Sequence, residues 1–248
     1  MVLDKINTGE MTGSFITALY SDYKGYLWVG TANGLNRYDG YNFLSFRSTK
    51  SDTTTLSHPS IRCIKQLSSE SLLIGTSSGL NVYSFATNTF KRAKLDTSCA
   101  NAKKKNIITC LEKLSDGRIV VGTRSGLMIY DENSNVLKAF GLKDTTLLED
   151  LWIQSIFVDK SGALWVSAKA PIGTALEYRI YRYVFKGDSY KQTYVSGIGS
   201  SGQIGISQDL EGNIWISIDD GLACVNSKTL EKTFYRDRKS TRLNSSHT

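Results

Sequence analysis

Apolar positions recur in short alternating stretches that turn motifs separate. Near the start, Ile16, Ala18 and Tyr20 fall at every second position, which predicts a strand. The strand ends before an Asp-x-x-Gly motif at 22–25, in which Asp accepts backbone amides and Gly tolerates a positive φ. The apolar run at 27–29 that follows predicts a second strand, buried on both faces.

Two more turns complete a unit of four strands. Asn33-Gly34 precedes a third strand, and Asp39-Gly40 precedes a fourth. The unit then recurs along the chain. Aligned at the Gly or Ser after the buried strand, its copies fall at Gly30, Gly75, Gly122, Ser167 and Ser217, in steps of 45, 47, 45 and 50 residues.

A repeat of this length with four short strands is typical of a β-propeller blade. We therefore expect an all-β fold built from about five blades of four antiparallel strands. The blades are expected near residues 12–47, 58–92, 105–140, 150–195 and 202–235.

One position of the repeat is small in every copy. Its residues are Ala18, Cys63, Cys110, Ser155 and Gly205. First strands converge on the axis of a propeller, so a crowded position there admits only small side chains. We interpret Cys63 and Cys110 as small buried residues and not as a disulfide or metal pair.

Composition and charge exclude several classes of protein. The 248 residues are 40% hydrophobic with 21 Gly and 2 Pro, as in a globular protein with many turns. The net charge is +7, and the one basic run, Lys103–Lys105, is expected in a solvated loop, so nothing indicates a nucleic-acid partner. No apolar run approaches a membrane span, and no signal peptide is recognisable. Residues 238–248 depart from the repeat and are expected to form a disordered, non-native tail, with the natural chain continuing beyond residue 237.

The first copy resembles a known repeat. The segment from Asp22 to Gly40, with Leu-Trp-Val-Gly-Thr at its centre, followed by Tyr41-Asn-Phe43, is similar to the two-component regulator propeller repeat. The resemblance extends over about residues 12–235 and loosens after the first copy.

This resemblance implies a function and a larger ring. Such repeats form the periplasmic sensor of membrane-bound hybrid histidine kinases, whose ligands are often breakdown products of complex glycans. The implied ring has seven blades, which need roughly 320 residues, so five blades would leave an incomplete ring with open edges. The resemblance thus implies a sensor that signals to a kinase not encoded here, a membrane link only through missing C-terminal parts, and a full-length protein that could form a homodimer.

The candidate binding residues lie where the repeat fails. Trp152 precedes the first strand of blade four, at the register of Phe15, and an insertion follows Ala168. Aromatic rings beside hydrogen-bonding groups suit a sugar, because they cover its apolar face and satisfy its hydroxyls. The alternative is a longer loop whose aromatic residues only cap the blade. The candidate ligand-binding residues are Trp152, Lys169, Glu177, Tyr178 and Arg179.

Catalytic chemistry is sparse, and neither a cofactor nor a metal is expected. The histidines are His58 and His247, and the second lies in the tail. A propeller enzyme of the lyase or lactonase type needs a His base or a metal cluster near the axis. That enzyme remains one alternative, and a protein-interaction scaffold is another. The Asp residues that recur with the turn, Asp22, Asp159 and Asp209, are expected to be structural.

Overall fold

Short antiparallel strands follow one another along the chain because turn residues separate its apolar segments. The computed structural model describes residues 11–96, 101–140, 151–172, 175–186, 189–195, 197–198 and 205–236, and the expected tail lies outside this part. The described strands form five sheets, each built on four antiparallel strands in chain order, which confirms the all-β architecture of propeller blades.

Each sheet is called a blade and numbered in chain order. Blade one contains β1 (Ile16–Ser21), β2 (Leu27–Thr31), β3 (Gly34–Tyr38) and β4 (Phe43–Phe46). Blade two contains β5 (Ile61–Ser68), β6 (Ser71–Thr76), β7 (Gly79–Ser84) and β8 (Thr89–Arg92). Blade three contains β10 (Ile108–Lys113), β11 (Ile119–Thr123), β12 (Gly126–Asp131) and β13 (Val136–Ala139), joined by β9 (Lys94–Leu95). Blade four contains β14 (Trp152–Val158), β15 (Leu164–Ile172), β16 (Ala175–Lys186) and β17 (Ser189–Val195). Blade five contains β18 (Ile206–Gln208), β19 (Asn213–Ile218), β20 (Gly221–Asn226) and β21 (Lys232–Arg236).

Two connections differ from the expectation of four-stranded blades joined by loops. The short strand β9 pairs in parallel with β13, the outer strand of blade three, and so covers that edge. The basic run forms part of a short helix, α1 (Ala102–Lys105), instead of a loop. Lys103 and Lys104 are exposed as expected, but Lys105 is buried, so the run is only partly solvated.

The hydrophobic core lies between blades. One cluster joins Trp28 and Leu35 of blade one to Ile61, Ile64 and Ile74 of blade two. Similar clusters join blades two and three, three and four, and four and five. The first strands of successive blades are neighbours, so they form the inner wall of the stack.

A socket fixes each of the first three joints between blades. The Gly that ends the buried strand leaves room for an Ile of the next blade. A Cβ at Gly75 would lie 2.5 Å from Cγ2 of Ile108, and one at Gly122 would lie 2.8 Å from Cγ2 of Ile153. At Gly30 the corresponding distance, to Ile61 of blade two, is 2.6 Å. Such distances are shorter than real contacts allow, so only Gly fits these positions.

The same sockets explain the small position of the repeat. The Cα partners of Gly75 and Gly122 are Cys63 and Cys110, whose sulfur atoms lie against the space where a Cβ would stand. Both cysteines are free thiols, as expected, but they are half-buried and not fully buried. Burial raises the pKa of Cys63 well above its ordinary value and that of Cys110 to about 12, as expected for thiols that fill space.

The outward faces of the first and fifth blades are uncovered. Leu19 of β1 is 61% exposed, whereas Ile64 of β5, at the same register, is 8% exposed. On blade five, Leu222 is 43% exposed, whereas Leu35 of blade one, at the same register, is fully buried. These side chains have the positions of core residues, but no blade of the described part of the chain packs against them.

Candidate functional site

The recurring Asp residues are structural, because each ties a turn to a core tryptophan. One carboxylate oxygen of Asp22 accepts the backbone N–H groups of Lys24 and Tyr26. The other accepts Nε1–H of Trp28 at 2.8 Å. Asp159 with Trp165, and Asp209 with Trp215, repeat this arrangement at 2.8 and 2.9 Å.

The pair is replaced as a unit where the tryptophan is missing. Blades two and three carry Leu73 and Val120 at the Trp register, and Leu67 and Leu114 at the Asp register, all four of them buried. Without an indole N–H there is no buried donor to satisfy, so an apolar residue suits both positions. In blade five the hydrogen bond from Trp215 is the main cause that lowers the pKa of Asp209.

A cavity of about 490 Å³ opens at the starts of the first strands. We call it the axial mouth. Blades one to four all contribute to it. Its lining includes Phe15, Thr17, Ser60, Arg62, Thr109, Trp152 and Gln154.

A β-bulge turns one residue of each first strand toward this mouth. In β1, Ile16 pairs with Thr31 and Ala18 pairs with Gly30, so Thr17 is the extra residue. The same shift leaves Arg62, Thr109 and Gln154 extra in β5, β10 and β14. All four extra residues line the axial mouth, which agrees with the tendency of bulges to re-aim side chains.

The bulge also changes the alternation that the sequence predicted. In β5 the buried residues are Ile61, Ile64 and Leu67, which are spaced by three. In β1, for which the sequence predicted alternation, Ala18 and Tyr20 are half-buried between exposed neighbours as expected, whereas Ile16, on the other side of the bulge, is 50% exposed. In β5 the extra residue Arg62 shifts the burial pattern by one position, and a second register shift, between Gln66 and Ser68, displaces it again at Leu67.

Residues at the axial mouth differ from blade to blade, unlike core residues. The bulge position is Thr, Arg, Thr and Gln in blades one to four. The position two residues after the aligned Gly or Ser, which lines the cavity in blade one, is Ala32, Ser77, Arg124, Lys169 and Asp219. By contrast, the core position is Val29, Ile74, Val121, Val166 and Ile216. The repeat therefore supplies a uniform scaffold with a variable surface at this end.

Three of the five predicted binding residues lie in one row across blade four. Trp152 of β14 pairs with Lys169 of β15, which pairs with Tyr178 of β16. The ammonium of Lys169 lies 5.4 Å from the ring centroid of Trp152 and 4.7 Å from that of Tyr178. Such distances are within the range of cation–π interactions.

The other two predicted residues do not share this row. Arg179 pairs with Ala168, one position along the strand, so alternation places it on the opposite face from Tyr178. Glu177 pairs with Ala170, and its side chain lies outside the described part of the structure. No contact tests a binding role for any of the five, which remains a prediction.

Arg124 is a member of this site that sequence reasoning missed. Its guanidinium lies 4.3 Å from the ring centroid of Trp152 in the next blade. Its Nε and the Nε2 of Gln154 are buried and have no hydrogen-bond partner among the described residues. Arg124 and Lys169 occupy the same register, so comparison of the copies at that turn was the signal that could have identified Arg124.

His58 has a local partner instead of a catalytic one. Its Nδ1 accepts the backbone N–H of Ser60 at 3.0 Å, within the connection that leads into β5. Among the described residues, no three His, Cys, Asp or Glu side chains are grouped so that they could hold a metal ion. The same part of the chain has no helix with both the length and the apolarity to cross a bilayer.

The first repeat of the chain is similar to a known protein family. The model of the family "Two component regulator propeller" matches residues 10–33, which confirms the resemblance inferred from the first blade. No curated protein was found to match the chain.

Several solved structures share the fold at low sequence identity. One is the extracellular domain of the hybrid two component system BT3049 from B. thetaiotaomicron, at 20% identity and a TM-score of 0.69, over 93% of this chain and 31% of that one. The corresponding domain of BT4673 from the same organism has 17% identity and a TM-score of 0.57, over 91% and 34%. Virginiamycin B lyase from Staphylococcus aureus has 12% identity and a TM-score of 0.67, over 93% and 72%. The chain therefore has a propeller fold shared with extracellular domains of two component systems, and residues 10–33 match the repeat of the two component regulator propeller family.

Proposed function

We propose that the chain is the ligand-sensing propeller module of a membrane-bound two-component regulator of the hybrid histidine kinase type. Its support is the family match at 10–33 and the fold shared with the extracellular domains of two hybrid two component systems. In this proposal the module lies in the periplasm and signals to a kinase outside this sequence. The regulator as a whole is a homodimer.

The ligand binds at the axial mouth and is a small oligosaccharide. One observation carries this choice: Trp152 lines a cavity of about 490 Å³ and lies beside Lys169 and Arg124. A cavity of this size suits a small ligand, and an indole face beside hydrogen-bond donors matches a sugar ring and its hydroxyls. Tyr178 extends the aromatic surface on the far side of Lys169.

Calorimetry of the purified protein against a panel of glycan fragments tests this function. We expect at least one fragment to bind, and Trp152→Ala to weaken that binding about tenfold or more through the loss of ring stacking. Tyr41→Ala is the matched control, because Tyr41 is an aromatic residue that is 90% exposed on a turn of blade one. It should leave the affinity unchanged.

Two other functions are outcomes of the same experiment. A lyase is suggested by the fold shared with virginiamycin B lyase, and turnover of a fragment would favour it. The hydrogen bond that occupies Nδ1 of His58 favours binding over catalysis. Binding of a protein partner, with no heat from any sugar, would instead indicate an interaction scaffold and would refute the sensor of saccharides.

A further inference from the structure

Positive charge collects around the axial mouth without a described acidic partner. Arg124 and Lys169 both lie against the ring of Trp152, and Arg62 lines the same cavity. None of the three forms a salt bridge within the described part of the chain. Four other described cations do pair with acids, namely Lys65 with Glu112, Arg118 with Asp116, Lys138 with Asp131 and Arg236 with Asp220.

The polar partners of these cations are also incomplete. Nε of Arg62 donates to the hydroxyl of Ser77 at 3.0 Å, a neutral group that leaves its charge uncompensated. Nε of Arg124 is buried with no partner among the described residues. A buried donor on a charged group is costly unless an acceptor reaches it. The acid at the same register in blade five, Asp219, already has an interaction of its own.

The cations surround an aromatic ring, and this arrangement limits which kind of ligand could neutralise them. A guanidinium and an ammonium beside one indole present fixed donors next to an apolar surface. The complementary ligand has an anionic group attached to a ring with an apolar face. Gln154 also lines the cavity, and its buried Nε2, which has no partner among the described residues, adds a further donor for an anion or a hydroxyl.

We propose that the axial mouth recognises an acidic saccharide, whose carboxylate or sulfate is bound by Arg124 and Lys169 while its ring stacks on Trp152. This inference rests on the proposed function and specifies the class of its ligand. Arg62, which lines the cavity from blade two, supplies further positive potential. The charged group sets the affinity, and the ring contact sets the orientation of the sugar.

Three probes separate the contributions of charge and of sugar. They are a diuronate such as digalacturonate, the neutral disaccharide of the same linkage, and inorganic sulfate. Calorimetry on the full chain should show the diuronate binding about tenfold or more tightly than the neutral disaccharide. Its affinity should fall as sodium chloride rises, since salt screens the charges.

Substitutions of Arg124 and Lys169 test whether these two cations cause the preference for the diuronate. Arg124→Gln and Lys169→Gln should each weaken the diuronate about tenfold and leave the neutral disaccharide unchanged. Lys169→Arg, which keeps the charge, should retain the preference. Lys91→Gln is the control, because Lys91 is an exposed cation on the outer strand of blade two. Thermal unfolding of each variant shows that it remains folded.

The possible results separately test the acidic group, the saccharide and the proposed sensor function. Equal affinity for the diuronate and the neutral disaccharide would overturn the acidic ligand but leave the saccharide sensor intact. Sulfate binding as tightly as the diuronate would overturn the saccharide part of the inference. Failure of every saccharide in the glycan panel would refute the proposed function, and the inference with it.

Discussion

At the scale of single residues, the Asp and Trp of the repeat act as one unit. Asp22 distributes its two oxygens, one to the turn amides and one to the indole of Trp28. Blades two and three replace both members by apolar residues, which keeps the core dry without an unpaired donor. The Asp that recurs at one position of the repeat is therefore a structural residue, held by its hydrogen bond to the core Trp.

Asp22→Asn should destabilise the protein by about 1–3 kcal/mol. An amide has one acceptor oxygen, so it cannot serve both the turn and the buried indole N–H of Trp28. Chemical denaturation followed by fluorescence measures the loss.

Asp39→Asn is the matched control for that substitution. A single oxygen of Asp39 accepts both turn amides, from Tyr41 and Asn42, and an Asn oxygen can replace it. Its effect on the free energy of unfolding should be small. Equal losses in the two variants would show that the indole hydrogen bond contributes nothing.

At the scale of strands, the socket between Gly and Ile determines how one blade meets the next. The Ile, which we call the knob, lies on the first strand of one blade. The Gly, which we call the hole, lies on the second strand of the preceding blade, so every joint of this type has the same direction. Pairing of Gly75 with Cys63 shows why the position opposite the hole is also small.

Gly75→Ala should destabilise the protein by about 1–3 kcal/mol, because the new Cβ overlaps Ile108 and the sulfur of Cys63. Gly205→Ala is the control, since its Cβ would meet only the hydroxyl of Ser217, at 3.6 Å. Combining Gly75→Ala with Ile108→Ala should cost less than the sum of the single changes. Strict additivity in thermal and denaturant unfolding would contradict the socket.

The sequence predicted the strands, turns and blade register, because periodic apolar residues and Gly turns are local signals. It did not predict the β-bulges, because an extra residue such as Arg62 is visible only when the partner strand is known. Arg124 was missed for a related reason: its contact is with Trp152 of the next blade, which the register of a single repeat does not show. Lys169 and Tyr178 were identified because they lie in the inserted segment of the same blade.

At the scale of the whole molecule, each joint between blades brings two different faces together, so it is heterologous. One of these two faces is exposed on blade one, and the other is exposed on blade five. Leu19 and Ile16 face outward from blade one, and Leu222 faces outward from blade five. Heterologous faces of this kind pair head to tail. Uncovered apolar faces on sheets also favour association.

The 248-residue chain should therefore self-associate as its concentration rises, and Leu19→Glu combined with Leu222→Glu should weaken that association about tenfold or more. Sedimentation velocity over a concentration series measures it. Leu44→Glu is the control, because Leu44 is 42% exposed on the outer strand of blade one. A wild-type chain that stays monomeric throughout the series would contradict this expectation.

The Gly–Ile socket has a consequence for how such a gene can change in length. Blades one to three each carry an Ile at the knob position and a Gly at the hole position, so each encodes both surfaces needed to sit between two such repeats. Duplication of one repeat therefore adds a module without requiring a new complementary surface to arise by mutation. Loss of one repeat likewise rejoins two surfaces that already match, whereas a cut elsewhere in the unit would leave a knob without a hole.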